Sequence, residues 1–377
     1  MKAKKYNIPV NEPLIIGNAK KYVLDCLNTG WVSSEGEYVS KFENKFANYI
    51  GKKYGVSVVN GTAAIELSIE TLNLKKGDEV IIPAFTIISC ILPLIKKKIT
   101  PVLVDSKLDD WNMDVTQIEE KITKKTKAIM VVHTYGLSCD MDFIMYLAKK
   151  YNLHIIEDAA ESHGVKYKNK YCGSFGHLSI FSFYANKLIT TGEGGIILTD
   201  NKKYYEKLKL LRNLGFNNKK RFKHDLLGWN YRFTNIQSAL GLSQLENINK
   251  FIKIKKNIGS RYTKLLSDVP GIQLPMLNNE YSNNLYWVYG ILIKTKKNII
   301  MEIVKQLNSM GIGTRPFFYP MHKQPILKKL GYFKYDKHPN AEYMSSRGFY
   351  LPSGLGMKIE DINIVTKELK NILCNYK

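Results

Sequence analysis

Three short stretches of the chain carry residue types that together could do one kind of chemistry. In "SFYANKLITTGEGG", Ser182 to Gly195, Lys187 follows a semi-apolar run and leads into a glycine turn. The chain has about fifty lysines, and a lysine is ordinarily a surface residue. One held between two strands differs, because desolvation makes its amine a nucleophile able to form a Schiff base. Asp158 ends the apolar run "LHIIED". A carboxylate at the end of a buried strand caps a helix, joins an ion pair, or holds a cationic ligand group such as a protonated ring nitrogen. "NGTAAIELSIE", Asn60 to Glu70, is a Gly-Thr turn entering an amphipathic helix, a place for a cap or for a phosphate. A phosphate cradle, an anion for a ring nitrogen and an imine-forming lysine are jointly what pyridoxal 5′-phosphate (PLP) requires.

The elements that would position these groups alternate along the front two-thirds of the chain. "EVIIPAF", "TPVLVDS", "TKAIMVVHTYG", "LHIIED", "LSIFSFYA" and "GGIILTD" read as strands, with "MDFIMYLAKKYN" a helix among them. Ile- and Val-rich strands separated by helices predict an α/β domain with a mostly parallel sheet, whose ligands lie beyond the carboxyl ends of the strands. Lys187 and Asp158 fall at such ends. From about Gly241 the pattern changes to one long helix, "TNIQSALGLSQLENINKFIKIKKNIGSRYTKLLSDV". A smaller α+β segment follows, with a strand in "LYWVYGILIK" and a helix in "MEIVKQLNSMG". The division expected is a large domain over residues 1–248 and a small one over 249–377, with roughly the first 20 residues packing on the small one.

Composition narrows the classes of function. With 377 residues and 45% apolar content the chain can bury a sizeable core. Its most apolar run, Val80 to Ile95, is shorter than the ~20 residues of a bilayer span and holds Pro83 and Pro93, so no membrane association and a cytoplasmic location are expected. Five scattered cysteines without CxxC spacing give neither a disulfide framework nor a metal site. The net charge of +23 suggests anionic partners, but only six residues are Arg, and the lysines are dispersed in solvated stretches. Readers of nucleic acid favour Arg forks, so no nucleic-acid partner is expected; the charge suits steering of a small anionic substrate.

The ordered motifs "LNTGWVSSEGEYVSKFENKFA", "VVNGTAAIELS", "VHTYGLSCDMD", "IIEDAAESHG", "FSFYANKLITTGEGG", "LGWNYRFTNIQSALGLSQLE", "TRPFFYPMHKQP" and "LPSG" run through nearly the whole chain. By them it resembles the DegT/DnrJ/EryC1/StrS family of PLP-dependent sugar aminotransferases, which implies the aspartate aminotransferase type I fold. The resemblance makes Lys187 the imine-forming lysine and Asp158 the partner of the pyridine nitrogen. It puts Glu161 near the cofactor's 3′-oxygen, where the family often has Gln. Gly61, Thr62, Ala63 and Ser182 would hold the phosphate, and Asn230 would reach it from a second copy, implying a homodimer with composite sites. Many members have an aromatic ring over the cofactor where this chain has Ile87; Phe85, two residues away, would point the same way in an extended segment, and either could cover the ring. His163 is a further cofactor-side candidate. Trp31, Arg232, Arg315, Tyr319 and His322 lie in segments that the family uses near its substrate. The activity implied is transfer of the amino group of L-glutamate, through the PLP and pyridoxamine phosphate forms, to C4 of a nucleotide-linked 4-keto-6-deoxyhexose. The resemblance is greatest to members acting on GDP-4-keto-6-deoxymannose. A dTDP- or UDP-4-keto-6-deoxyglucose, or a 3-keto sugar, is the nearest alternative. A dehydratase of the family would carry His in place of Lys187, and a non-enzymatic basic regulator would have no use for Lys187, Asp158 and Ser182 together.

Overall fold

Runs such as Val80–Ile82 and Ile129–Val132 have no polar face, the pattern of strands covered by helices on both sides. In the computed structural model, which describes residues 5–217, 220–295 and 298–376, these runs are inner strands of a seven-stranded sheet. Its strands are β1 (Tyr54–Val58), β2 (Glu79–Pro83), β3 (Thr100–Val104), β4 (Thr126–Val132), β5 (His154–Asp158), β6 (Leu178–Ser182) and β7 (Gly195–Thr199). The spatial order is β1-β7-β6-β5-β4-β2-β3. Neighbours from β6 to β3 run parallel, while β7 is antiparallel to both β1 and β6. The expected mostly parallel α/β sheet is therefore present. Strand β1 adds an element that the alternating pattern did not signal.

Alternation along each strand sorts its side chains onto two faces. In β6 and the residue after it, Phe181 and Phe183 join a core with Phe42, Phe46 and Phe233, while Ile180 packs on the other face with Leu67, Ile82 and Met130. Ser182 shares the face of Ile180. In β5, Asp158 and Glu157 likewise diverge. A second sheet of four short strands carries β8 (Ile272–Gln273), β9 (Tyr289–Ile293), β10 (Arg315–Pro316) and β11 (Gly348–Leu351), in the order β8-β9-β11-β10. It has its own core, including Tyr262, Tyr289, Ile303, Phe349 and Leu369, which Ile8 joins from the N-terminal segment.

The helical stretch after Thr234 is two helices, Asn235–Glu246 and Ile248–Leu266, and not one. Asn247 breaks it: the backbone there leaves the helical region (φ −103°, ψ 6°), and its side-chain amide donates to the Ser243 carbonyl. A residue that bonds its own preceding turn competes with helix continuation. Helical periodicity continues through the break, so the pattern alone does not reveal it. No described helix is long and apolar enough to cross a membrane.

Glu157 shows how the loops around β5 are held. It is fully buried and accepts from the N–H groups of Gly173, Phe175 and Gly176 and from the Ser179 hydroxyl, with His133 Nε2 at 3.0 Å. Burial opposes its charge, but these donors outweigh burial and keep its pKa below the usual value. Replacing Glu157 by Ala strips the acceptor from several buried donors. Denaturant titration should show a loss of about 3–5 kcal/mol, and a loss under about 1 kcal/mol would mean that the cluster is not a keystone of the loop.

Candidate active site

The carboxyl ends of β5 and β6 open onto a cavity of about 380 Å³. Its wall includes Gly61 and Thr62 at the start of the helix Gly61–Thr71, Ile87, Asp158, Ser182, Lys187 and, from the smaller sheet, Arg315. Close backbone approach shapes this end of the site. A Cβ on Gly195 would lie 2.6 Å from the Asn60 carbonyl, so only glycine lets β7 pass the helix start there. A Cβ on Gly61 would sit 3.1 Å from that of Ser182, which sets the serine against the first helical turn. Asn60 caps this helix, and its side chain takes the Ala63 N–H at 2.8 Å. The Gly61 and Thr62 N–H groups have no partner in the i→i−4 ladder, which makes the helix start suited to an anion. Ala63 is buried behind them with its N–H committed to the cap.

Asp158 is 4% exposed and receives the Ala160 N–H at 3.0 Å and the Cys90 thiol at 3.3 Å. Burial pushes its carboxyl above the usual range, against the pull of those two donors and of Lys187. A buried carboxyl of this kind gains from a cationic partner in the cavity. Lys187, its side chain 10% exposed, has Glu161 Oε1 at 4.0 Å. Burial lowers the amine's pKa, opposed by Glu161 and Asp158. On its other side the amine sits 4.0 Å from the centroid of the Trp287 ring.

The remaining candidates separate. Ile87 lines the cavity and Phe85 does not. The backbone bends after Pro83, so the two residues do not share a face, and Phe85 is buried among Tyr135, Phe317 and Phe318. His163 lies against Phe46, Phe181 and Phe183, on the side of the sheet opposite Ser182, where burial takes its pKa down to about 3. Glu161 stands behind the cavity wall, receiving the Tyr135 N–H at 2.9 Å. Asn230 is exposed and accepts from Arg232 Nε at 2.9 Å; Arg232 borders a separate cavity of about 590 Å³ with Ser34, Glu35 and Arg212. Trp31 (58% exposed) and Tyr319 (52%) lie at the surface, whereas His322 is buried with its Nε2 2.8 Å from Glu342.

Sequence reasoning missed Trp287, Phe318 and Tyr350, which line the cavity, and Tyr135, which supports it. Tyr135 adopts a left-handed backbone (φ 56°) that presents its N–H to Glu161, and its hydroxyl accepts the Phe318 N–H at 3.2 Å. These residues come from elements distant in the chain, and no local pattern marks them.

A partly desolvated amine, a buried acid and an anion-binding helix start around one cavity suit an enzyme that works through imines, of the aminotransferase class. The chain belongs to the DegT/DnrJ/EryC1/StrS aminotransferase family, whose profile matches residues 13–370. It is 42% identical over 362 residues to a GDP-perosamine synthase of Escherichia coli O157:H7, covering 96% of this chain and 97% of that one. Among solved structures it is similar to a mutant GDP-4-keto-6-deoxymannose-3-dehydratase with bound GDP-perosamine, with TM-score 0.88, 28% identity and coverage of 96% of this chain and 100% of that one. It is also similar to the PLP form of a sugar aminotransferase of unproven activity from Streptococcus pneumoniae, with TM-score 0.90, 26% identity and coverage of 97% and 98%. The fold is thus the aspartate aminotransferase type I fold expected from the motifs.

Glu161 gives a pH signature. Burial raises its carboxyl from 4.5 to about 7, while Lys187 and the Tyr135 N–H pull it down. The folded chain keeps a proton there that the unfolded chain releases. That stabilisation is complete below pH 4.5 and is lost as pH rises through about 7. In paired urea titrations without cofactor, the wild type should lose about 3 kcal/mol relative to Glu161→Gln across this window. A constant difference would mean that Glu161 titrates as an ordinary carboxyl.

Proposed function

We propose that this chain is a PLP-dependent aminotransferase that moves the amino group of L-glutamate to C4 of GDP-4-keto-6-deoxymannose, giving GDP-perosamine. The observation that carries the reading is the convergence of Lys187, Asp158, Ser182 and the Gly61 helix start on one cavity. The relatives named above support the choice of sugar. The reading sets this chemistry in the cytoplasm.

The residues fit the cofactor. Gly61, Thr62 and Ser182 offer N–H and hydroxyl donors for a phosphate at the helix start. Asp158, raised by burial, would be the carboxylate that keeps a proton on the ring nitrogen. Ile87, Ala160 and Ile180 give the cavity apolar walls suited to a flat ring. When bound, PLP supplies the carbonyl that takes up the amino group and the electron sink that acidifies the donor's α-carbon. Lys187 Nζ would hold the cofactor and would serve as the base that removes and returns the proton at the donor's α-carbon. Its lowered pKa suits that task, because an amine must be neutral to accept a proton. Arg315 gives the cavity a cation for the donor carboxylate or the sugar diphosphate.

The positions of Asn230 and Trp31, both exposed, and of the half-buried Arg232, all outside the cavity, support a homodimer in which these residues serve the site of a second copy. Tyr319, at the surface beside Phe318, is assigned to the sugar nucleotide, while His322 would act only by supporting the segment that carries it. The division into a large domain over residues 1–248 and a small one over 249–377 is part of the same proposal.

Two measurements test this reading. With glutamate and a panel of GDP-, dTDP- and UDP-linked 4-keto-6-deoxyhexoses, the GDP-mannose-derived ketone should be consumed fastest, its product identified as the 4-amino sugar by mass and NMR. Preference for a dTDP or UDP sugar would overturn the substrate. Mixing inactive Lys187→Ala and Asn230→Asp chains in equal amounts should restore about a quarter of wild-type turnover, since half of the dimers regain one intact site. No recovery after subunit exchange would refute the composite site.

A further inference from the structure

Lys255 is buried and carries a charge that the chemistry above does not use. It lies on the helix Ile248–Leu266 and is 4% exposed. Among the described residues no carboxylate pairs with it. Its ammonium donates instead to two carbonyls, Trp287 O at 2.9 Å and Ser353 O at 2.5 Å. Burial takes its pKa down to about 7. A lysine buried without a counter-ion is costly, so the fold would be expected to hold an apolar residue there unless the ammonium serves a purpose.

Its position shows what that purpose could be. The ladder between β9 and β11 ends at the pair Tyr289–Leu351. Trp287 and Ser353 lie two residues beyond that pair on either strand, where the ladder no longer supplies donors to their carbonyls. Lys255 bridges them. One helical turn along the same face, Gly259 meets the ring of Tyr286 so closely that a Cβ would fall 2.2 Å from it. Tyr286 itself has a left-handed backbone (φ 57°), held through its N–H by Asn284 Oδ1 at 2.6 Å. A non-glycine residue in that region is strained by about 1–3 kcal/mol and persists only where its surroundings enforce it.

The strained turn aims Trp287 into the site. The Trp287 Nε1–H donates to the Asn186 carbonyl at 3.0 Å, and its ring faces the Lys187 amine at 4.0 Å. The same Asn186 carbonyl receives Asn11 Nδ2 at 3.0 Å from the N-terminal segment.

We propose that Lys255 is a positioning residue that acts through Trp287: by bridging the Trp287 and Ser353 carbonyls it holds the indole against Asn186 and Lys187, fixing the amine that does the chemistry. The proposal rests on the reading of Lys187 given above for its effect on turnover, and on geometry alone for its effect on the amine.

The test compares Lys255→Met, Trp287→Ala and the double variant as full-length protein. Lys255→Met removes the buried cation but strips the Trp287 and Ser353 carbonyls of their donor, so the melting temperature should fall by several degrees with the fold retained. In the holoenzyme, kcat should fall about tenfold with KM for glutamate within about twofold, and the same change in the Trp287→Ala background should cost less than about twofold. In cofactor-free protein, reductive methylation followed by peptide mass spectrometry should label Lys187 several-fold faster in Lys255→Met than in wild type. Unchanged labelling, a full tenfold loss in the Trp287→Ala background, or failure of Lys255→Met to fold would each overturn the proposal. If even the wild type fails to turn over the GDP sugar, the functional reading fails, and the labelling still decides the role of Lys255.

Discussion

The amine of Lys187 is held in a narrow electrostatic position on which the rest of the site depends. It is largely out of water, with Glu161 at 4.0 Å and the Trp287 ring at 4.0 Å, and among the described residues no carboxylate forms a short, strong ion pair with it. A tighter pair would lock the amine in its charged form, and full exposure would leave it as basic as any surface lysine. Between these limits an amine can serve both as nucleophile and as base. Glu161 contributes to the balance by being a poor carboxylate itself, since burial pushes it to about 7. Glu161 thus places beside the lysine a carboxyl whose charge changes near neutral pH.

The sheet supplies the frame. Parallel strands β5 and β6 end side by side, so the acid at the end of one and the serine at the end of the other meet the helix start beyond β1. Glycines at 61 and 195 make the approach possible, and alternation along β6 separates Ser182 from the phenylalanine core. The smaller sheet then closes the cavity from the other side with Trp287, Arg315, Phe318 and Tyr350. The site therefore lies between the two sheets and depends on both.

What the sequence made legible follows from how local each signal is. Asp158 and Ser182 end strands, the Gly61–Thr62 turn starts a helix and Lys187 follows a strand, places that patterning and capping rules mark as candidates; only their complementary chemistry and the family motifs joined them into one site. The choice between Ile87 and Phe85 needed the bend after Pro83, which a strand reading overrides. His163 stands beside a cofactor motif but faces the opposite core, because the direction of a side chain in a loop has no period to read. Trp287 and Tyr135 reach the site through long-range packing and left-handed backbone turns, and Lys255 through the end of a strand ladder. Strand β1 is as long as most of its neighbours, but Gly55 and Ser57 interrupt its apolar run, so the pattern did not mark it.

Of about fifty lysines, Lys187 is the one proposed to bond the cofactor. Borohydride reduction of the PLP-loaded protein, followed by proteolysis and mass spectrometry, tests it most directly. One pyridoxyl adduct is expected, on the peptide containing Lys187. An adduct on another lysine, or none, would contradict it.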